Sequence, residues 1–263
     1  MAERTIRDYV AAANAQLTDP DRNRQIGTGA ARFELYHAPL SICSQKVRAT
    51  LAEKGAAFQS HDMRIMPPLN ENFHPDYIRL RMQGAGGREM VSGFTGRSSV
   101  RSEGFDPAVV PTLVDLAEDR VLVDSAAICD HVNRVHEGGP DLIPASLKRE
   151  VLREIEIVDG LPQVALHYGA HPNGDFRPEW LSDELRGAHD AKILKLIEGR
   201  SLAVGHPKLT AAYDAKIRKE AAARQYIRSP DLMRKATAEV LSAIANLEET
   251  LEDKKLWLMG DSF

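Results

Sequence analysis

Hydrophobic residues follow two different spacings along this chain. Up to about residue 135, short alternating or continuous apolar runs predict β-strands, and stretches with helical spacing predict helices between them. The predicted strands span 33–37, 57–63, 109–114 and 120–124, and the predicted helices span 9–17, 43–54, 71–82 and 126–135. The order strand, helix, strand, helix, loop, strand, strand, helix indicates a small α/β unit.

After Pro144 only the helical spacing remains. An apolar face runs through residues 147–158, and a helix is predicted over 209–227. Another helix is predicted from Ser229 onwards, with a proline in its first turn. Its apolar stripe is expected to be buried and consists of Val240, Ile244, Leu247 and Leu251. We therefore predict an all-α second domain over residues 147–263.

Clusters of turn-forming residues suggest the domain boundaries. Breaks near Asp19 and Gly27 set residues 1–32 apart as an N-terminal extension, and the first domain is predicted over 33–137. Residues 83–108 are rich in glycine and serine, which indicates an inserted surface loop. The alternative, a glycine-rich phosphate cradle, lacks the spacing of a P-loop.

The composition narrows the class of protein. The chain has 263 residues, of which 43% are hydrophobic, and a net charge of −4. This is typical of a soluble globular protein and argues against a dedicated nucleic-acid binder, which usually has a strongly basic face. No apolar run suggests a membrane span, and no signal peptide is evident, so we expect a cytoplasmic protein. The two cysteines cannot form a disulfide framework or a four-cysteine zinc site.

The most informative motif is Ser41-Ile-Cys-Ser, at the predicted start of the first helix of the α/β unit. Unpaired N–H groups and the positive end of the helix dipole favour an anion there. Cys43 could therefore supply a thiolate near neutral pH, and the Ser41 hydroxyl could hydrogen-bond to a bound thiolate. On position alone, an equally good interpretation makes Cys43 a small core residue and Ser41 an ordinary N-cap. Cys129 lies among apolar residues in a later helix and is expected to be a packing residue.

Two further motifs fit a peptide ligand. A cis bond between Val110 and Pro111 would turn the valine backbone towards such a ligand, although a trans proline at a strand edge fits the sequence as well. Asp124 and Ser125 follow a predicted strand and could bind the ammonium and carboxylate of an amino acid. The alternative is that Ser125 simply caps the next helix.

These motifs together resemble the glutathione transferase superfamily, most closely its zeta-like branch, which includes glutathione-dependent reductive dehalogenases of chlorinated hydroquinones. The resemblance rests on Ser41-Ile-Cys-Ser, on residues 72–80, on the long run 33–115 and on residues 166–171. It implies a thioredoxin-like α/β N-terminal domain, an all-α C-terminal domain and a homodimer.

The resemblance also implies roles for individual residues. Val110, beside Pro111, would bind the cysteinyl backbone of glutathione, Asp124 and Ser125 its γ-glutamyl end, and Ser41 its thiolate. Cys43 would be the redox nucleophile. The aromatic electrophile would lie near Leu40, His167, Tyr168 and His171. Glutathione is then a cosubstrate and no metal is expected, since the spacing of His167 and His171 lacks the rest of a metal motif.

Three functions stay open from the sequence. The first is reductive dehalogenation through a Cys43–glutathione mixed disulfide. The second is a glutathione-dependent cis–trans isomerase of the maleylacetoacetate type, or a general glutathione transferase, neither of which needs a redox cysteine. The third is a non-catalytic glutathione-binding module. The chain ends at Gly260-Asp-Ser-Phe263, where the superfamily continues into a core helix, so we expect a C-terminally incomplete fold with partly uncovered helix faces.

Overall fold

The structure is a computed structural model that describes residues 4–252 and Leu258. The motif at Gly260 and Asp261 lies outside the described residues. The first part contains α1 (Ile6–Asn14), β1 (Asn23–Ile26), β2 (Phe33–His37), α2 (Ile42–Glu53), β3 (Phe58–Asp62), a 3-10 turn (Glu71–Phe73), α3 (Pro75–Met82), α4 (Val100–Glu103), β4 (Thr112–Asp115), β5 (Arg120–Leu122) and α5 (Ser125–Val135). The second part contains α6 (Lys148–Asp159), α7 (Gln163–Tyr168), α8 (Glu179–Leu202), α9 (Pro207–Ile227) and α10 (Pro230–Glu252).

The strands form one five-stranded sheet in the order β1-β3-β2-β4-β5. The pair β2–β3 is parallel, because α2 carries the chain back across the sheet between them. The other pairs are antiparallel. Apolar residues next to each other in a strand, such as Leu113 and Val114, point to opposite faces and enter different cores.

Helices cover both faces of the sheet. On one face α2 and α5 bury Val47, Leu51 and Ile128 against the strands. On the other, α1 and α3 pack around Tyr36 and Tyr77. This arrangement confirms the predicted thioredoxin-like α/β domain. The helices α6 to α10 that follow it confirm the predicted all-α C-terminal domain.

Helix α1 and strand β1 pack with the α/β domain. They do not form the separate N-terminal extension predicted over 1–32. Val10, Ala13 and Leu17 are buried in the same core as Tyr36. The strand β1 pairs antiparallel with β3 and forms the edge of the sheet. Its sequence, Asn-Arg-Gln-Ile, is mostly polar, because an edge strand facing solvent needs no apolar alternation.

Part of the segment 83–108 is also packed against the rest of the protein. Val91, Phe105 and Ala108 are buried, and the bridge between Met90 and Phe105 closes the segment. The Gly96 carbonyl accepts hydrogen bonds from the first amides of α7. The segment therefore connects the α/β domain to the helical domain. Residues 86–89 are exposed, as expected for a surface loop, whereas residues 105–108 are buried.

The helical domain is organised around α8 and α9. Leu196, Leu209 and Tyr213 form its core together with Phe73 and Ile78 of the first domain. Gly199 permits this close packing, since a Cβ there would lie 2.6 Å from the Tyr213 ring.

The expectation of a buried stripe on α10 was wrong. Ile244 is 46% exposed and Leu251 is 43% exposed. This agrees instead with the expectation of partly uncovered helix faces. Within the described residues, no helix is long and apolar enough to cross a membrane.

Candidate active site

A cavity of about 170 Å³ lies where the two domains meet. The first domain contributes one side of its lining through the start of α2, the loop before β4 and the junction of β5 with α5. Helices α7, α8 and α9 contribute the other side. The predicted site residues that line it are Leu40, Ser41, Cys43, Val110, Pro111, Asp124, Ser125, His167 and Tyr168.

Cys43 lies in the first turn of α2 and is half-buried at the cavity wall. The unpaired amides of this turn give the region a positive potential. Its Sγ lies 3.1 Å from the Ser98 hydroxyl oxygen, which comes from the 83–108 segment. Sequence reasoning missed Ser98, because only the folding of that segment against α2 brings the two residues together.

Ser41 is the N-cap of α2, as one sequence interpretation predicted. Its hydroxyl oxygen accepts a hydrogen bond from the Ser44 amide at 3.2 Å. A hydroxyl that accepts in this way still has its own proton to donate. Capping the helix is therefore compatible with donating a hydrogen bond to an anion in the cavity.

The peptide bond between Val110 and Pro111 is cis, which decides the alternative that the sequence left open. Arg81, only 1% exposed, holds the surrounding segments together. Its guanidinium donates to the carbonyl oxygens of Asp106 (2.7 Å), Pro111 (2.6 Å) and Val123 (3.0 Å). One side chain thus fixes the cis-proline segment relative to the end of β5.

Asp124, not Ser125, is the N-cap of α5, which corrects the sequence interpretation. One carboxylate oxygen of Asp124 accepts from the Ala127 amide at 3.0 Å. The other accepts from the Val100 amide at 3.3 Å. The Asp124 carboxylate therefore caps α5 and also contacts the first residue of α4.

The predicted aromatic wall is only partly assembled. Burial, with Lys192 and Arg177 nearby, lowers the pKa of His167, which favours its neutral form in the cavity. His171 is not among the residues that line the cavity, and its Nδ1 accepts from the Asn173 amide at 3.2 Å.

Buried charged groups line the cavity where α9 faces it. Lys216 Nζ contacts carboxylate oxygens of Asp106 (2.8 Å) and Glu220 (2.9 Å), and Lys219 Nζ contacts Glu103 (2.6 Å). Burial by itself would raise the pKa of Asp106, but the ammonium groups of Lys216 and Lys219 hold it well below its usual range. Asp106 is therefore ionised and paired.

Helix α8 contributes two buried polar side chains, Lys192 and His189, to the cavity lining. Lys192, 6% exposed, donates to the Tyr168 hydroxyl at 2.5 Å, and its ammonium lies 4.1 Å from the centroid of that ring. His189, 2% exposed, has its Nδ1 2.7 Å from a carboxylate oxygen of Glu220.

Sequence reasoning missed the charged residues of α8 and α9, although a signal existed. On α9 the buried positions recur at helical spacing through Leu209, Ala212, Lys216, Glu220 and Ala223. Lysine and glutamate therefore occur within the apolar stripe, where charged residues are uncommon unless paired. Charged residues in such a stripe predict either a buried network or a site.

One group of side chains in the described part of the chain has the spacing of a metal site. Ligand atoms of Asp115, Glu118 and His131 all lie within 4.8 Å of one another. The Arg32 guanidinium, however, contacts Asp115 at 2.7 Å and Glu118 at 3.4 Å. A cation already neutralises these carboxylates, so we assign no metal to them.

The geometry agrees with comparisons to known proteins. Residues 40–135 match the family model described as glutathione S-transferase, N-terminal domain. The chain is 42% identical over 271 aligned positions to a 2,5-dichlorohydroquinone reductive dechlorinase of Sphingobium indicum, covering all of this chain and 78% of that protein. It is 21% identical over 231 positions to glutathione S-transferase TCHQD of Arabidopsis thaliana, covering 88% of this chain and 71% of that protein.

A solved structure supports the fold. The crystal structure of the beta-etherase LigF from Sphingobium sp. strain SYK-6 aligns with a TM-score of 0.53 at 19% identity. The alignment covers 88% of this chain and 78% of that one.

Proposed function

This chain belongs to the glutathione S-transferase superfamily, and from that premise we propose that it is a glutathione-dependent reductive dehalogenase of a chlorinated hydroquinone or a similar aromatic. The observation that carries the proposal is the half-buried thiol of Cys43, which opens at a helix N-terminus onto the cavity shared with the cis Val110–Pro111 bond. The relative at 42% identity, named a 2,5-dichlorohydroquinone reductive dechlorinase, supports the same activity.

Glutathione would bind along the side of the cavity that the first domain forms. The backbone of Val110, turned by the cis bond to Pro111, would pair with the cysteinyl residue of the tripeptide. Asp124 and Ser125 would bind the γ-glutamyl end of glutathione, which carries one ammonium and one carboxylate. The Ser41 hydroxyl would then donate to the glutathione thiolate.

The part of the cavity next to the proposed glutathione thiolate would take the aromatic ring. Leu40, His167 and Tyr168 line it and offer apolar and aromatic surface to such a ring. The polar groups of α8 suit a ring that carries hydroxyl groups better than a plain hydrocarbon.

The proposed reaction has two sulfur-transfer steps. In the first, the glutathione thiolate attacks the chlorine-bearing carbon of the keto tautomer of the hydroquinone. A carbon–sulfur bond forms, and chloride leaves with the electron pair of the carbon–chlorine bond.

In the second step the Cys43 thiolate attacks the sulfur of this conjugate. A sulfur–sulfur bond forms, and the electron pair of the carbon–sulfur bond returns to the ring, which takes up a proton and becomes the dechlorinated hydroquinone. A second glutathione thiolate then attacks the mixed disulfide, so Cys43 is regenerated and glutathione disulfide leaves. Two glutathione molecules are oxidised for each chlorine replaced by hydrogen.

The test is to replace Cys43 by serine and to measure chloride release and glutathione disulfide with 2,5-dichlorohydroquinone. Cys129→Ser is a matched control, because burial raises the pKa of the Cys129 thiol and keeps it protonated. Intact-mass analysis of the wild type after incubation with glutathione and substrate should detect one added glutathione, mapped to Cys43.

We expect Cys129→Ser to retain activity and Cys43→Ser to lose the production of glutathione disulfide. Cys43→Ser should still bind immobilised glutathione, since the residues that bind the tripeptide are unchanged. Undiminished production of glutathione disulfide and of the dechlorinated hydroquinone by Cys43→Ser would refute the proposal, whereas chloride release alone would not, because the first step does not use Cys43. A variant that instead isomerises maleylacetoacetate at the wild-type rate would favour the isomerase.

We further propose that the protein acts as a homodimer in the cytoplasm. Superfamily membership supports the dimer, and the need for reduced glutathione and a free Cys43 thiol supports the compartment, because the cytoplasm keeps thiols reduced. Light scattering of the purified chain tests the first of these expectations, and cell fractionation tests the second.

A further inference from the structure

One buried nitrogen in the cavity lining has no partner within the described residues. His189 Nδ1 lies 2.7 Å from the carboxylate of Glu220, whereas Nε2 of the same ring is buried without a hydrogen bond. Because an ionised carboxylate only accepts, Nδ1 carries a proton, and in the neutral form of the ring Nε2 presents its lone pair. An unsatisfied buried polar group costs about 1–3 kcal/mol, so a ligand group that pairs with Nε2 would be bound favourably.

The environment of His189 suits a base that becomes positively charged. Glu220 is ionised, because the ammonium groups of Lys216 and Lys192 hold its pKa well below the usual range despite its burial. An ionised carboxylate on Nδ1 stabilises the imidazolium that forms when Nε2 takes up a proton. This is how a carboxylate assists a catalytic histidine in other enzymes.

The Lys192 ammonium lies near His189 and can interact with the phenolate that forms when the substrate loses its proton. The ring of Tyr168 lies 4.7 Å from the His189 ring, and its hydroxyl accepts the hydrogen bond from Lys192. Lys192 has no carboxylate within ion-pairing distance in the part of the chain that the structure describes. Its ammonium can therefore stabilise a phenolate oxygen, either directly or through the Tyr168 hydroxyl.

We propose that His189 is the acid–base residue that converts the bound hydroquinone into its keto tautomer, with Lys192 stabilising the phenolate formed on the way. This inference rests on the proposed function, which requires that tautomer but does not say which residue produces it. It adds a catalytic residue from α8, far in sequence from the thiol chemistry at Cys43.

The proton transfers balance without a further reactant. The hydroxyl O–H bond of the substrate breaks, its electron pair stays on oxygen, and an N–H bond forms at His189 Nε2. The oxygen pair then forms the carbonyl while the chlorine-bearing ring carbon takes the proton from Nε2. The ring is isomerised, His189 is neutral again, and the total charge of the substrate and the buried network together is unchanged throughout.

The test compares a substrate that needs tautomerisation with one that is already a ketone. His189→Asn keeps an amide N–H near the position of Nδ1, where it can donate to Glu220, and removes Nε2. Chloride release with glutathione is measured for 2,5-dichlorohydroquinone and for 2-chloroacetophenone. The matched control is His206→Asn, because His206 is exposed and its side chain makes no capping hydrogen bond.

We expect His189→Asn to reduce kcat for the hydroquinone by about 100-fold or more, the usual range for losing an acid–base group. Its rate with 2-chloroacetophenone should change less than about threefold, and the control should match the wild type on both. An equal loss on both substrates would mean that His189 is merely structural and would overturn the inference. Undiminished activity on the hydroquinone would overturn it too.

The outcomes also separate this inference from the proposed function. If the wild type releases no chloride from 2,5-dichlorohydroquinone, the proposed function fails and the role of His189 fails with it. If the wild type releases chloride and His189→Asn does so equally well, only the inference fails. The Cys43→Ser experiment then still stands.

Discussion

Replacing Arg81 by methionine is expected to destabilise the whole active-site region rather than one contact. The Arg81 side chain is buried and donates to three backbone carbonyls and to the Thr112 hydroxyl. The carbonyls belong to Asp106, Pro111 and Val123, which lie in three segments at the cavity. Methionine fills a similar volume but has no donor for any of them.

The loss of unfolding free energy follows from the three backbone carbonyls that lose the Arg81 guanidinium as hydrogen-bond donor. Each unsatisfied buried acceptor costs about 1–3 kcal/mol, so three carbonyls at the low end give about 3 kcal/mol of lost unfolding free energy. For a chain of this size that corresponds to a fall in Tm of about 6–12 °C. Arg81→Lys should lie between the wild type and Arg81→Met, because an ammonium cannot reproduce the planar fork of the guanidinium.

The assay is thermal unfolding followed by circular dichroism, together with retention on immobilised glutathione. Arg79→Met is the matched control on the same helix, since Arg79 makes a partly exposed ion pair with Asp76 at 2.8 Å. Such a pair contributes about 0–1 kcal/mol. If Arg81→Met melts with the control and retains glutathione equally well, the assigned role of Arg81 is wrong.

Three further predictions concern other buried groups. Lys216→Met removes the ammonium that Asp106 and Glu220 share and leaves Asp106 with the Lys219 ammonium at 3.2 Å. We expect about 3 kcal/mol of lost stability in urea unfolding, the lower end of the range for a broken buried ion pair, and a loss below 1 kcal/mol would contradict the assigned pairing. Burial lowers the pKa of His37 from 6.5 to about 4; between these values the unfolded chain binds more protons, so stability should fall by about 3 kcal/mol as the pH drops from about 6.5 to about 4. A series of urea unfolding curves should detect this slope, and in His37→Gln the fall in stability should be smaller by about that amount. Asp124→Ala removes the N-cap of α5, so we expect about 1 kcal/mol of lost stability and weaker retention on immobilised glutathione, whereas unchanged retention would refute its predicted contact with the tripeptide.

Local sequence signals were sufficient where structure depends on near neighbours. The start of α2 at Ser41 follows from a capping serine after a strand, and it places Cys43 in the first helical turn. The left-handed conformation of Gly55, with φ of 65°, ends the same helix where the sequence predicted a stop. The strands with alternating or continuous apolar residues were recognised for the same reason, since side chains alternate between the faces of a sheet.

Where the local signal allowed two answers, the tertiary structure decided between them. Asp124 rather than Ser125 caps α5, because the helix begins at Ser125 and the Asp124 carboxylate accepts from the Ala127 amide. The contact of the same carboxylate with the Val100 amide exists only in the folded protein. The strand Asn23–Ile26 was missed, because an edge strand is held by its hydrogen bonds to β3 and shows no apolar pattern of its own.

The sequence by itself determined the four strands between residues 33 and 124, the α/β domain followed by helices, and the thiol at the start of α2. Only the tertiary structure brought Ser98 to Cys43 and set His189 and Lys192 opposite the first domain. The physical reason is separation along the chain. Capping and side-chain periodicity act over a few residues, whereas these contacts exist only once segments far apart in sequence have packed around one cavity.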